Sequence, residues 1–246
     1  MGYTFWFDKF DSRTILEPHK FYVLQARKRL LSQFHDISRE ADEAVQAHYE
    51  MLGQYFDPER DDPADSAEAA FNEGISHYQA LHEMHNTITL ALTAGMFHQF
   101  DKALREKMVI EFRNWQPAAI GGLIWNVEFP LLIDLLEWAG VKIKAKPFYV
   151  KLDACQLLVN VYKHGKGRSH RDLVSKYPEY YPSANPKLRG RIGPRPDELK
   201  VSEAQFVEIA DAITNFWQNF PEFANESDQG IEPQWFASRL KRFTRP

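Results

Sequence analysis

The sequence predicts a mainly all-α protein, a helical bundle around a long antiparallel helical hairpin with an irregular, proline-rich basic insertion. Three observations carry that expectation. Residues 19–52 contain neither proline nor glycine, and apolar residues recur within them at helical spacing. A second such stretch follows after a short acidic break. The strand-like alternations are few and short.

The elements are read in order. Residues 1–18 read as an irregular arm ending at Pro18. The first long helix, 19–52, shows Leu30, Phe34, Ile37, Ala41, Ala44 and Met51 in a 4-3-4-3 rhythm, with His48 in the remaining slot. Gly53 and Pro58 stop it. From Asp57 to Glu68 there are six acids and one base, which suits a solvated connection. The second long helix is expected from about Ala67 to Met108, with Phe71, Ile75, Tyr78, Leu81, His85, Ile88, Leu92 and Met96 as its apolar stripe and an irregularity at Gly74. Two long helices joined by a modest loop form an antiparallel hairpin.

Shorter elements follow. Pro117, Gly121 and Gly122 break the pattern over 113–125. VEFPLLIDLLEWAG (127–140) reads as a helix ending at Gly140. VKIKAKP (141–147) alternates apolar residues with lysine, as an exposed strand-like link does. Residues 148–163 form a helix through Leu152, Cys155, Leu158, Val159 and Tyr162, closed by Gly165 and Gly167. Five prolines between 178 and 198 exclude a regular element there. LKVS (199–202) reads as a short strand, and Ser202 opens a helix that Pro221 ends. In the tail, WFASRLKRFTRP (235–246), basic residues alternate with aromatics, and Trp235, Phe236, Leu240 and Phe243 call for burial, so the tail is expected to dock.

Composition narrows the function. The chain has 246 residues, a net charge of −4 and a hydrophobic fraction of 44%, the profile of a globular protein in one domain. Its single cysteine, Cys155, lies in the apolar run LDACQLLV and reads as a buried thiol. The N-terminus lacks the basic and apolar regions of a signal peptide, and no apolar run approaches the roughly 20 residues that span a bilayer. A cytoplasmic protein without membrane contact is therefore expected. Phosphate-binding glycine loops, paired-cysteine metal motifs and the serine-hydrolase elbow are missing. The histidines His77, His82, His85 and His98 lie at helical spacing but lack Glu-x-x-His partners, so neither a metal nor another cofactor is expected.

One segment breaks the overall charge balance. Between Lys163 and Arg195 lie nine lysines or arginines and two acids, a net of +7. With Tyr177, Tyr180 and Tyr181 interleaved, the segment has the footprint of a phosphate or single-stranded nucleic-acid site. Its partner is RNA or another nucleic acid, or else a protein surface such as the acidic 57–68 segment of this chain or of a second copy. Lys166, Arg168, His170, Arg171, Arg189 and Arg191 are the candidate phosphate contacts. Asn160 and His164 lie four apart on the last turn of a helix and share a face. Metal-free RNA cleavage needs an acid–base group and a cation beside the crowded phosphate. His164 is the candidate acid–base, Lys163 the cation and Asn160 the orienting donor. Each residue type also has a structural role. Lys163 and His164 suit a helix C-terminus, Gly165 a positive-φ cap, and Ser169 an N-cap with Asp172 three residues on.

Two segments carry a resemblance. LLVNVYKHGKGRSHRDLVSKYPEYY and LKVSEAQFVEIADAITNFWQNFPE are similar to runs in an uncharacterised group of helical bacterial proteins, through Asn-x3-His-Gly-x-Gly-x-Ser and Leu-x-Val-Ser-Glu. More distantly, the long hairpin with a histidine at a helix end resembles the HEPN-type proteins. Their hallmark is an arginine followed after four to six residues by a histidine. RLLSQFH (Arg29 to His35) and RTILEPH (Arg13 to His19) have that spacing, whereas His164 is preceded by Asn160 instead. The resemblance implies a homodimeric helical bundle acting on RNA in phage defence or toxin–antitoxin biology, as a metal-independent ribonuclease. A non-catalytic adaptor that holds a protein or nucleic-acid partner through 163–195 is the alternative.

Overall fold

The computed structural model describes residues 4–7, 12–115, 120–182, 193–224 and 232–243. It is a mainly all-α helical bundle, as the sequence predicts. The chain divides into two compact units, residues 24–91 and the combination of 1–23 with 92–246. Among the described residues, no helix is long and apolar enough to cross a membrane.

The smaller unit holds the hairpin. Helix α1 (Ser12–Arg29) ends in it, a 3-10 turn covers Leu31–Phe34, and α2 (Ile37–Gly53) follows. Helix α3 (Pro63–Trp115) supplies the second arm and continues into the larger unit. The single helix expected over 19–52 is thus two helices with a break at 30–36, and the first begins before Pro18 rather than after it. Pro18 lies inside α1, where it forfeits one backbone hydrogen bond without ending the helix. The break moves the buried position from Leu30, which is 45% exposed, to Leu31, which is fully buried.

The acidic connection builds its own turn. Asp61 Oδ2 accepts from Asp57 N at 2.8 Å, and Asp62 Oδ1 accepts from Ala64 N at 2.8 Å. Proline in the first helical position with an aspartate before it is a strong start signal. This explains why α3 begins at Pro63 rather than near Ala67.

The hairpin register follows from two contacts. Phe34 stacks on His85 with centroids 5.0 Å apart, and Gly74 faces Ala41 and Val45. In both contacts later residues of α3 meet earlier residues of the first arm, as antiparallel arms require. Gly74 introduces no irregularity; it removes a side chain so that α2 can come close. A Cβ there would run into Val45 Cγ2 and lie 3.3 Å from the Ala41 carbonyl oxygen. Small residues, Ala70 and Gly74, form the covered face, while Phe71, Ile75 and Tyr78 of the expected stripe are 40–60% exposed.

The larger unit has an aromatic core. Strands β1 (Phe5–Trp6) and β2 (Phe223–Ala224) pair antiparallel, so the N-terminal arm is tied down there rather than irregular. Phe5 lies 4.7 Å from Phe112 and 5.6 Å from Trp138. Helices α4 (Ile120–Asn126) and α5 (Phe129–Trp138) cover this cluster. The buried Arg105 guanidinium donates to the carbonyls of Ile124 at 2.5 Å and Val127 at 2.9 Å and pairs with Asp101 at 2.7 Å. It thereby holds the reversal between α4 and α5. In the 141–147 link Val141 and Ile143 are buried and the lysines exposed, as the alternation predicts, but no strand forms.

Helices α6 (Tyr149–His164), α7 (Arg168–Lys176) and α8 (Glu203–Gln218) complete the unit. Short 3-10 turns at Pro178–Tyr180 and Pro196–Glu198 are the regular structure of the proline-rich insertion among its described residues. LKVS is extended but pairs into no strand; Lys200 N donates to the Tyr180 carbonyl at 2.9 Å. Ser202 and Gln205 form a reciprocal capping box at the start of α8. The tail forms α9 (Gln234–Phe243) and docks through Phe236, which is 1% exposed and stacks on Trp115 at 5.4 Å. The Phe243 side chain lies outside the described residues.

Two outcomes test this packing. Glycine to alanine on an open helix face stabilises by about 0.5–1 kcal/mol, but Gly74→Ala should destabilise by roughly 1–3 kcal/mol through overpacking against the stiff Val45 side chain. The double variant with Val45→Ala should recover most of that loss in urea unfolding. His19 Nε2 donates to the Ala210 carbonyl at 3.0 Å, and burial is the main cause of its lowered pKa. A lowered folded-state value means the unfolded chain takes the proton first. Stability should therefore be complete above the ordinary histidine value of about 6.5 and decline as pH falls below it. Thermal melts from pH 7.5 downward should show that decline, and His19→Gln should blunt it.

Candidate nucleic-acid interface

The basic segment is built on α6. Its residues Ala154 to Val159 are buried without interruption, so the helix sits inside the unit and only its ends reach solvent. Cys155 is fully buried, and desolvation pushes its thiol pKa far up, so this sulfur is structural. At the C-terminal end Asn160 is half-buried, while Lys163 and His164 are exposed on the last turn. Gly165 closes the helix at φ +68° and donates to the Val161 carbonyl at 2.8 Å. A Cβ at Gly165 would meet nothing within 4 Å, so glycine is required by the backbone conformation and not by space.

Helix α7 begins three residues later and packs back on α6. Leu173 is fully buried and His170 is 9% exposed. At its far end Tyr177 Oη donates to Asp153 Oδ2 at 2.8 Å, and Lys176 lies 3.4 Å from the same carboxylate. The expected Ser169 cap is not formed. Gly167 occupies the N-cap, no side chain caps the helix, and Ser169 already lies within the first turn. The glycine lets the chain enter the helix two residues earlier than a serine cap would.

The tyrosines are also placed differently from expectation. Tyr180 is fully buried and Tyr181 is 4% exposed, so neither offers a stacking face to a base. Tyr177 is held by Asp153. The hydroxyls of Tyr180 and Tyr181, Gln156 Oε1 and His170 Nε2 are buried without a hydrogen-bond partner. The Tyr181 ring meets the His170 ring edge-on at 5.5 Å.

The predicted site residues divide into two groups. Lys166, His170 and Arg171 line a cleft of about 660 Å³ between α7 and residues 193–197. Val174, Pro194 and Pro196 give the cleft apolar walls. Asn160, Lys163 and His164 do not line it. Arg168 is 85% exposed and lies 3.6 Å from Asp172. Arg189 and Arg191 lie outside the described residues. Arg195 lines the cleft as well, and sequence reasoning passed it over except as one base among nine. It is charge-balanced by Asp197 at 2.9 Å and Glu198 at 3.8 Å, a pairing foreshadowed by the sequence Arg-Pro-Asp-Glu.

The two helix ends use their charges in opposite ways. Lys163 and His164 sit at the C-terminus of α6, where the helix dipole welcomes positive charge. Lys166, Arg168 and Arg171 crowd the N-terminus of α7, where the dipole is already positive and no acid stands in the first turn. Among the described residues Lys166 and Arg171 have no acidic partner.

Two histidines of the hairpin have ring partners. His82 packs edge-on against Tyr78 at 4.4 Å and His85 stacks on Phe34. Among the described residues no group of three or more histidine, cysteine or acidic side chains could hold a metal ion. The Arg29 to His35 pair spans the break between α1 and α2, and His19 of the other pair is engaged with Ala210. No family model matches the chain, nor does any curated protein or solved structure.

The buried thiol gives a direct check on the α6 environment. Native protein should react with a thiol reagent orders of magnitude more slowly than urea-unfolded protein, as absorbance at neutral pH would record. Fast reaction in the native state would mean that α6 is not enclosed.

Proposed function

We propose that this protein is an RNA-directed effector that grips the phosphate backbone on the corner between α6 and α7. The observation that carries this reading is the wrong-sign charge at the start of α7. Lys166, Arg168 and Arg171 stand at a positive helix end without an acid in its first turn. Such an end binds phosphate through its exposed N–H groups and its dipole together. The burial of Tyr180 and Tyr181 shifts the reading from base stacking toward backbone contact. In the HEPN-like form of this proposal the effector serves phage defence or toxin–antitoxin biology, and His164 is the acid–base group of metal-independent cleavage, with Lys163 and Asn160 beside it.

A second reading is favoured by the setting of His164. It is exposed, and among the described residues nothing orients its ring. General acid–base catalysis depends on a held imidazole. An adaptor that binds RNA or an acidic protein surface without cutting needs the α7 cations but not His164.

One experiment separates the two. Wild type and His164→Ala are incubated with a mixed RNA pool in EDTA, and the ends produced are sequenced. The effector reading expects cleavage that falls by about 10²–10⁴-fold in the variant. Binding without cleavage by either protein selects the adaptor. In either case, neutralising Lys166, Arg168 or Arg171 should lower the slope of log affinity against log salt by about 0.7 each. An unchanged slope would remove the α7 corner from both readings.

A further inference from the structure

We propose that the cleft between α7 and residues 193–197 is a pocket for one nucleotide bearing a terminal phosphate, either free or at the end of an RNA. This deepens the RNA reading above and rests on the same corner being an anion site, but it assigns a different set of atoms. Three observations support it. The cavity of about 660 Å³ falls within the range of small-molecule sites. Among the described residues Lys166 and Arg171 on its wall have no acidic partner, whereas Arg195, also on the wall, is balanced by Asp197 and Glu198. His170 forms part of the wall and is 9% exposed, so a bound ligand would touch its imidazole.

The pocket's chemistry selects the ligand. Two unneutralised cations match a terminal phosphate, which carries a charge of about −1.5 to −2, better than the single charge of an internal phosphodiester. The rest of the wall is apolar and flat-sided: Val174, Pro194 and Pro196. A planar heterocycle fits such walls. An inorganic ion would fill the charged end and leave the walls empty. A phosphorylated side chain would lack a ring to cover them.

The test uses the full-length protein with histidine isotopically labelled for ring NMR. The probes are AMP, UMP, adenosine and inorganic phosphate, followed by a short single-stranded RNA with and without a 5′-phosphate. The expected result is saturable binding of a mononucleotide that moves the His170 ring signals and leaves those of His164 in place. Affinity should exceed that of phosphate by about tenfold and should fall by about tenfold or more in Arg171→Ala, whose exposed position leaves folding intact. A thermal melt confirms that the variant is folded, and Lys166→Ala provides the same test at a second exposed position. Preference for the 5′-phosphorylated RNA would assign the pocket to a chain end, whereas equal affinity of the two RNAs with retained mononucleotide binding would assign it to the free nucleotide. No saturable binding at about 10 mM, or phosphate binding as tight as AMP, overturns the pocket. RNA binding without mononucleotide binding sinks the pocket alone and leaves the backbone grip. Mononucleotide binding without RNA binding sinks the RNA reading and leaves the pocket.

Discussion

Helix α6 is enclosed on nearly every side, and the rest of the candidate site depends on that enclosure. From Ala154 to Val159 no residue is exposed, so both α7 and α8 must pack against it. Burying each leucine or valine contributes about 1.5–3 kcal/mol as an upper estimate, and Leu152, Leu157, Leu158, Val159 and Val161 all contribute. Against this stands Gln156, whose unpaired Oε1 costs about 1–3 kcal/mol. The sum favours a helix that cannot slide or rotate. Its C-terminus therefore emerges at a fixed place, and Gly165 turns the chain there into α7. The bonds from Tyr177 and Lys176 back to Asp153 close the far end of α7 onto the same helix.

A rigid corner makes the charge distribution consequential. Exposed lysines and arginines on flexible loops contribute little to stability in either direction. Here the cations are mounted on the ends of two packed helices whose dipoles point in defined directions. At α6 the arrangement relieves the helix end. At α7 it opposes the helix end, and each misplaced base costs on the order of 0.3–1 kcal/mol. The buried scaffold fixes the backbone from which these bases project, while their exposed side chains keep their rotamer freedom. The same logic separates Arg195 from its neighbours. Its two carboxylate partners cancel its charge, so it shapes the cleft and leaves the field to Lys166 and Arg171.

How far the sequence foretold this depends on what each residue reports. Helices α6 and α8 were legible because their apolar residues recur at the helical period and a capping box announces α8 at Ser202. The break at 30–36 was not, since no proline or glycine marks it. Pro18 misled in the other direction, because a helix can lose one hydrogen bond and continue. On α3 the periodicity of Phe71, Ile75 and Tyr78 was real but did not say which face is covered. Close approach of α2 demands small residues, so Ala70 and Gly74 take the interface and the larger side chains stay outside. At the site, the excess of bases was visible at once. Its division between a helix C-terminus and a helix N-terminus was legible as well, and what was missed is that Gly167 rather than Ser169 takes the N-cap of α7. The burial of Tyr180 and Tyr181 left no trace in composition, since an aromatic among basic residues looks the same whether it faces solvent or the core.

The arrangement also bears on why binding and cleavage need not share residues. A catalytic histidine needs a partner that fixes its tautomer and its direction, and the exposed end of α6 supplies none among the described residues. His170 is the reverse case: it is held by burial and by the Tyr181 ring, and it lines the same cleft as Lys166 and Arg171. Its buried nitrogen, without a partner among the described residues, is a standing cost that the fold tolerates. In the proposed reading, recognition falls to α7 and cleavage to the end of α6. On that reading, any chemistry proposed at His164 would have to draw the orientation of its ring from the ligand, because among the described residues no side chain holds it.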